Sequence, residues 1–336
     1  MAMPRKRAGN KAQPEKRGKG AEINDLSLFP VSLSSSRRTS VSIIGAGRLG
    51  VALALALRAR GYKIEAVVAR RPGHARRASE LIGAQVRALI PAQLDQLPPT
   101  SIIFITTPDD AIEPTARELA AKIEWSGRGR IALHASGALS SEALSSLRAA
   151  GFRTGSMHPL ISVSDSLTGA ESLAQAYYCI EGEPPAARVA RSLVRAIGGR
   201  SFSINTQDKA LYHAAAVMSS GHAVALFDIA TEMLKGCGLS GRQARAALLP
   251  LMRSTLENLS QHAPARALTG TFARADVATV LKHLAALSSS NSRDALAAYT
   301  LLGQRSLELA RKNGADDDAL TRIKHALAEA AKNQKR

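Results

Sequence analysis

Lys209 and His213 stand four residues apart in NTQDKALYHAAAVMSSGHAVALFDIA, residues 205 to 230, an otherwise apolar run with helical periodicity. At that spacing two side chains share one face of a helix. A lysine supplies a compact positive charge, and a histidine exchanges a proton near neutrality. The pair suits a reaction in which negative charge grows on an oxygen or a nitrogen takes up a proton. The plainer alternative is a solvated lysine at a helix start, followed by a histidine packed against Tyr212 or a sheet. Asp208, Asn205 and Thr206 are read as alternative caps for that helix.

His134 in RIALHASG (130 to 137) and His158 in GSMHPL fall at strand ends. Each is either a satisfied polar residue packed there or a group emerging at a cleft. No H-x-x-x-H or H-E-x-x-H spacing links these histidines with His213 and His222, and Cys179 and Cys237 lie apart, so no metal site is expected. Ser136 of HASG lacks the G-x-S-x-G elbow of a hydrolase nucleophile.

What such side chains could act on depends on the elements that position them. VSIIGAG (41 to 47) reads as a buried strand entering a glycine turn, and RLGVALALALRARG (48 to 61) as the helix that follows. The turn carries Gly45, Gly47 and Gly50 in a G-x-G-x-x-G pattern, with Arg48 and Leu49 inside it. In that context the first glycine permits a tight turn, the second lets a pyrophosphate approach the backbone, and the third lets helix and strand pack closely. A dinucleotide-binding turn is expected, with the helix N-terminus offering free N–H groups to phosphate. The next strand, IEAVVA (64 to 69), runs into Arg70 and Arg71, where an NAD site would carry an acid. Arginine there suits a 2′-phosphate, so NADP is expected ahead of NAD, although surface charge also explains these residues. Thr106, Thr107 and Pro108, with Ser136, close two further strands where open sheets bind ligands.

The remaining pattern continues the alternation. A helix over Pro72 to Gly83, a short strand within 84 to 89, strand 101 to 108, and a helix capped by Asp109 or Asp110 precede strand 130 to 137 and helix 141 to 149. Strand 177 to 182, helix 185 to 197 and strand 201 to 205 extend the same domain. The order implies an α/β fold, a Rossmann-like doubly wound parallel sheet. From residue 206 only helical periods appear, at 207 to 235, 240 to 262, 275 to 288, 292 to 312 and 317 to 332. Three parts are therefore expected: a disordered basic tail and lead-in over 1 to 39, a dinucleotide-binding domain over 40 to 205, and a helical substrate or dimerisation domain over 206 to 333. In the last, Glu257, Asn258, Thr269, Arg274 and Asp276 form a polar group that would either clamp a carboxylate substrate or make a structural ion pair.

The charge of +18 raises nucleic acid as a partner. Seven of the Lys and Arg residues fall within residues 1 to 20, and the rest are scattered along helices without a recognition motif, so no specific nucleic-acid site is expected. No apolar run is expected to reach the roughly 18 residues of a membrane span, and the N-terminus has basic residues without the following apolar core of a signal peptide. A cytoplasmic protein is expected.

HASGALS, GSMHPL, KALYHAAAV, PLMRSTLEN and ALTGTFARAD together resemble a bacterial family of NADP oxidoreductases, with a Rossmann-like domain followed by a helical domain of unassigned function. The resemblance covers roughly residues 40 to 300. It is similar in architecture to ketopantoate reductase, pyrroline-5-carboxylate reductase and the β-hydroxyacid dehydrogenases. In the hydroxyacid enzymes and ketopantoate reductase, a lysine and, four residues on, an asparagine face the nicotinamide and the substrate carbonyl. By that resemblance Lys209 falls on the lysine and His213 replaces the asparagine. Gly221 stands where the family pattern has asparagine, and Thr271 and Ala275 stand where it has proline and glycine. The resemblance implies hydride transfer between NADP(H) and a small oxo, hydroxy or imino compound, with Lys209 as acid or charge stabiliser and a homodimer formed through the helical domain. The rival expectation is a dinucleotide-binding sensor without turnover, in which Lys209 would point away from the nicotinamide.

Overall fold

The computed structural model describes residues 39–289 and 293–334. The tail expected over 1 to 39 lies, except for its last residue, outside the described residues. Contacts within the chain define two units, divided after Ala216.

The first unit is built on eight strands: β1 (Ser40–Ile44), β2 (Lys63–Val68), β3 (Arg87–Leu89), β4 (Ile102–Ile105), β5 (Ile131–His134), β6 (Arg153–Leu160), β7 (Tyr177–Gly182) and β8 (Arg200–Phe202). They form one sheet in the order β3-β2-β1-β4-β5-β6-β7-β8. Strands β1 to β6 are parallel, as the alternating pattern requires. The uniformly parallel sheet expected from sequence is corrected at β6 and β7, which pair antiparallel with His158 opposite Cys179. Only a short helix separates these two strands, so the chain reverses instead of crossing over.

Side chains alternate across the sheet, and both sets are buried. Val41, Ile43, Ile102 and Phe104 pack beneath α1 (Arg48–Ala59) and α6 (Pro184–Ile197). Ile44, Ile103 and Ile105 pack on the opposite face with α3 (Asp109–Lys122) and α4 (Ser145–Ala149). Sandwiching between helices explains the continuous apolar strands. Helix α2 (Pro72–Ile82) follows β2, and α5 (Ser166–Leu173), which the sequence reading missed, packs on α1. Asp165 caps α5 by accepting from Leu167 and Thr168 backbone N–H groups at 2.9 and 3.1 Å. Pro108, rather than Asp109 or Asp110, is the N-cap of α3, and the two acids occupy its first turn, where they complement the helix dipole. The region expected to be one helix over 141 to 149 divides into a 3-10 turn, Ser141–Leu144, and α4.

The run 207 to 235, expected as one helix, also divides. It comprises a 3-10 turn (Thr206–Asp208), α7 (Lys209–Ser219) and α8 (Gly221–Gly236), separated at Ser220, whose φ of −121° and ψ of −76° leave the helical region. The first turns of α7 belong with the sheet unit, so the contact boundary falls eleven residues beyond the compositional one. By length and composition alone, Thr206–Gly236 is long and apolar enough to cross a membrane. This corrects the expectation that no stretch qualifies: isolated polar residues interrupt the run without offsetting its apolar majority.

The second unit holds α8, α9 (Gly241–Gln261), α10 (Pro264–Ala267), α11 (Gly270–Ala273), α12 (Val277–Ser289), α13 (Arg293–Lys312) and α14 (Asp317–Asn333). Its core is Val280 and Leu284 of α12, Leu296 and Leu307 of α13, and Leu320, Ile323 and Leu327 of α14. Helices α8 and α9 leave several apolar side chains exposed, including Val224, Leu251 and Leu256.

Candidate active site

The glycine turn has the geometry that its spacing requires. Gly45 has φ +110°, and a Cβ there would lie 2.7 to 2.9 Å from the backbone of Thr106 and Thr107. A Cβ on Gly50 would stand 2.2 Å from the Gly45 carbonyl, which itself accepts from Thr106 Oγ1 at 2.6 Å. Gly47 has nothing within 4 Å of its would-be Cβ. Two of the glycines therefore serve close packing within the turn, whereas the middle one leaves its face open. Gly47 is also the N-cap of α1 and makes no side-chain cap, leaving the helix's first N–H groups to an external acceptor.

That open face belongs to a cavity of about 1060 Å³, at the upper end of ligand-site volumes. Gly45, Gly47, Arg48 and Leu49 line one side, and Gly50 lies behind the turn. Arg70, Arg71 and His74 line the portion after β2, with Arg71 as the N-cap of α2. Thr106, Thr107, Pro108 and Ser136 line the strand ends, and Thr107 Oγ1 is buried without a hydrogen-bond partner. An open glycine face, an uncapped helix start, basic side chains and an orphaned hydroxyl fit a dinucleotide phosphate and ribose chain. Gly47 and Arg48 would meet the pyrophosphate, Arg70 and Arg71 the adenosine end, and Thr107 a polar group farther along. Asp109 and Asp110, assigned from sequence only as caps, line the cavity too.

The histidines divide into two kinds. His134 at the end of β5 is fully buried; Nδ1 accepts from the Ser136 N–H at 3.1 Å, while Nε2 lies 3.0 Å from the Ser140 carbonyl. Both ring nitrogens serve its own loop, which fixes the neutral tautomer with the proton on Nε2. Burial pulls its pKa down to about 4, reinforced by the Lys209 charge. His134 does not line the cavity. His158 on β6 and His213 on α7 do, their rings meeting edge to face at 5.7 Å between centroids. Gly137 makes room for them: a Cβ there would lie 2.5 Å from His213 Cδ2 and 2.9 Å from His158 Nε2. His158 Nδ1 is 2.7 Å from the Tyr212 hydroxyl. Burial lowers the His158 pKa to about 4, with Lys209, His213 and His134 adding to the effect.

Lys209 is only 2% exposed and is not among the cavity-lining residues. Its ammonium donates to the Ser136 carbonyl at 3.0 Å and to Ser156 Oγ at 2.9 Å, which fastens the first turn of α7 to the loop after β5 and to the middle of β6. Desolvation lowers its pKa. Glu181 secures the same corner, accepting from the Ser141 N–H and hydroxyl at 2.8 Å each and from Thr206 Oγ1 at 3.1 Å. No local sequence signal marks Glu181, whose partners lie 25 and 40 residues away, and Tyr212 is expected from sequence only as a packing neighbour of His213. Tyr212 lies 54 residues from His158, so no local motif could have joined them.

In the second unit, Asn258 on α9 is half-buried, and Thr269 and Arg274 are exposed. Asp276, for which the sequence left a substrate clamp and a structural ion pair as alternatives, caps α12: it accepts from the Thr279 N–H at 3.0 Å and from its hydroxyl at 2.7 Å. Three residues apart at a helix start, that contact forms more readily than one to a long arginine. Ala275, where the family pattern has glycine, adopts φ +49°.

Two family models match the chain: a Rossmann-like domain over residues 30–159 and the domain of unknown function DUF2520 over residues 176–306. The chain thus joins a Rossmann-like domain to a DUF2520 C-terminal domain. No curated protein matches it in sequence. Among solved structures, a protein from Thermotoga maritima aligns at TM-score 0.62 and 22% identity, covering 88% of this chain and 100% of that one. A candidate NADP oxidoreductase from Bacteroides fragilis aligns at TM-score 0.64 and 20% identity, covering 80% of this chain and 98% of the other. An imine reductase from Streptomyces aurantiacus aligns at 0.51 and 16%, covering 88% and 95%. At these identities the likeness is one of fold.

Proposed function

We propose that the chain is an oxidoreductase that uses a nicotinamide dinucleotide, NADP(H) in preference to NAD(H), to act on a small oxo, hydroxy or imino compound. The observation that carries this reading is the continuity of one cavity from the open Gly47 face to the His158–His213 corner. When bound, the cofactor would supply or accept hydride. The chain's own contribution is to hold phosphate at the glycine turn, place Arg70 and Arg71 for the 2′-phosphate, and gather polar groups around Gly137. Lys209 contributes a buried positive charge behind Ser136 and keeps that loop in place, so its part is charge stabilisation through position. Its inward engagement also favours the second reading, a dinucleotide-binding sensor without turnover.

Titration with NADPH and NADH, followed by nicotinamide fluorescence, tests the binding claim. Tighter binding of NADPH that weakens in Arg70→Ala is expected, and no binding of either would refute the reading. NADPH binding with no oxidation across panels of carbonyl and imino compounds would favour the sensor. We also infer that two copies associate through exposed apolar residues of α8 and α9, among them Val224 and Leu251. Mass photometry of wild type and Val224→Glu/Leu251→Glu checks it, and a monomeric wild type would exclude it.

A further inference from the structure

His158 and Tyr212 form a unit whose hydrogen positions decide which substrates the proposed enzyme can accept. The Nδ1 to hydroxyl distance of 2.7 Å is short for N–H donating to oxygen and ordinary for O–H donating to nitrogen. A phenol is also the stronger acid of the two, and imidazole nitrogen the stronger base. Burial raises the Tyr212 pKa, so the phenol keeps its proton. Cys179, on the neighbouring strand opposite His158, is fully buried, and burial raises its thiol pKa, so it too keeps its proton. The Tyr212 O–H is therefore the donor to His158 Nδ1. With Nδ1 occupied as an acceptor, a neutral imidazole carries its remaining proton on Nε2. Among the described residues Nε2 has no hydrogen-bond partner, and it lies beside Gly137 in the cavity lining.

We propose that Tyr212 locks His158 as a neutral imidazole with Nε2–H directed into the cavity, so that the site accepts the oxygen of a carbonyl compound and disfavours an iminium ion. A carbonyl oxygen has lone pairs for this donor, and a fixed neutral N–H strengthens its bond as charge grows on that oxygen. A protonated imine has an N–H and no lone pair, so the two donors would face each other. His158 polarises the oxygen without surrendering its proton, because replacing that proton through Nδ1 would leave a buried phenolate. Tyr212 is then a positioning residue, acting only through His158. This selection rests on the dinucleotide-dependent reading above, whereas the tautomer does not.

Long-range proton–nitrogen correlation spectra of the full chain labelled with ¹⁵N-histidine test the lock at pH 7, with His158→Asn assigning the signal. We expect a single tautomer in wild type, Nδ1 bare and Nε2 protonated, and a mixture of tautomers in Tyr212→Phe. Wild-type His158 protonated on Nδ1, or on both nitrogens, would overturn the proposal even if Tyr212→Phe failed to fold. For the selection, NADP⁺-treated protein is titrated with a panel of 2-oxo acids and ketones and a panel of cyclic imines whose pKa lies above the working pH, so that their nitrogen is protonated. A shift of the Nε2–H signal with a carbonyl compound and none with an imine is expected. A shift with imines, or with neither panel, overturns the substrate class. Isothermal titration of the same protein with NADP⁺ separates failure of cofactor binding from failure of the lock.

Discussion

Lowering the pH from 7.5 to 5 should destabilise the sheet unit through His134 in particular. In the folded chain His134 is neutral, with both nitrogens committed to its own loop and a pKa near 4; in the unfolded chain it returns to about 6.5. A histidine with a depressed folded pKa contributes stability that is present above the unfolded value and is lost as pH falls toward the folded one. The Lys209 charge adds to the depression, and Asp109 opposes it. Proton uptake by the unfolded state between pH 7.5 and 5 spans about 1.5 pKa units, worth about 2 kcal/mol from this side chain alone. That is a sizeable share of a typical domain's stability. Trp125, the only tryptophan, lies in this unit, where its indole donates to the Leu97 carbonyl at 3.0 Å, so urea unfolding followed by its fluorescence reads the sheet. His134→Asn keeps one acceptor and one donor but does not titrate. The wild type should lose about 2 kcal/mol more than this variant between the two pH values. Equal losses, or a His134 midpoint near 6.5 by NMR, would refute the account.

The glycine turn, the buried lysine and the helical unit each carry a further prediction. Gly47→Ala should unfold like wild type yet bind NADPH about tenfold more weakly, a loss of about 1.4 kcal/mol, whereas Gly50→Ala should cost on the order of 1 to 3 kcal/mol in Trp125-monitored unfolding. The opposite ranking would remove the basis for assigning Gly47 to the ligand. Lys209→Met removes the charge that helps depress His158, so the His158 NMR midpoint should rise above about 4; an unmoved midpoint would mean that the Lys209 charge has no part in it. Ala275→Gly should stabilise the helical unit by up to about 1 kcal/mol in thermal unfolding, because φ +49° suits glycine better than alanine.

The parts of the site legible in sequence were those whose physical logic is local. GAGRLG announced its turn because each glycine answers a constraint within a few residues, and Arg70 and Arg71 follow a strand whose end is easily located. His134 could have been read as structural, since its partners Ser136 and Ser140 are near neighbours. The antiparallel pairing of β6 with β7 was not legible, because an apolar strand such as YYCIEG carries no signal of direction. Neither was the burial of Lys209, whose partners Ser136 and Ser156 lie 73 and 53 residues away. Apolar periodicity shows where a helix packs but not which polar side chain it carries inward.

Those same separations bear on how the chain reaches its native state. The lysine anchoring the first turn of α7 gains its partners only after β5 and β6 stand side by side, and closing loops of such length is slow relative to local helix formation. Seating α7 is therefore a late event, and placing its ammonium before the strands are ready would strand a charge without partners. The Lys209 anchor thus ties the seating of α7 to the prior pairing of β5 with β6.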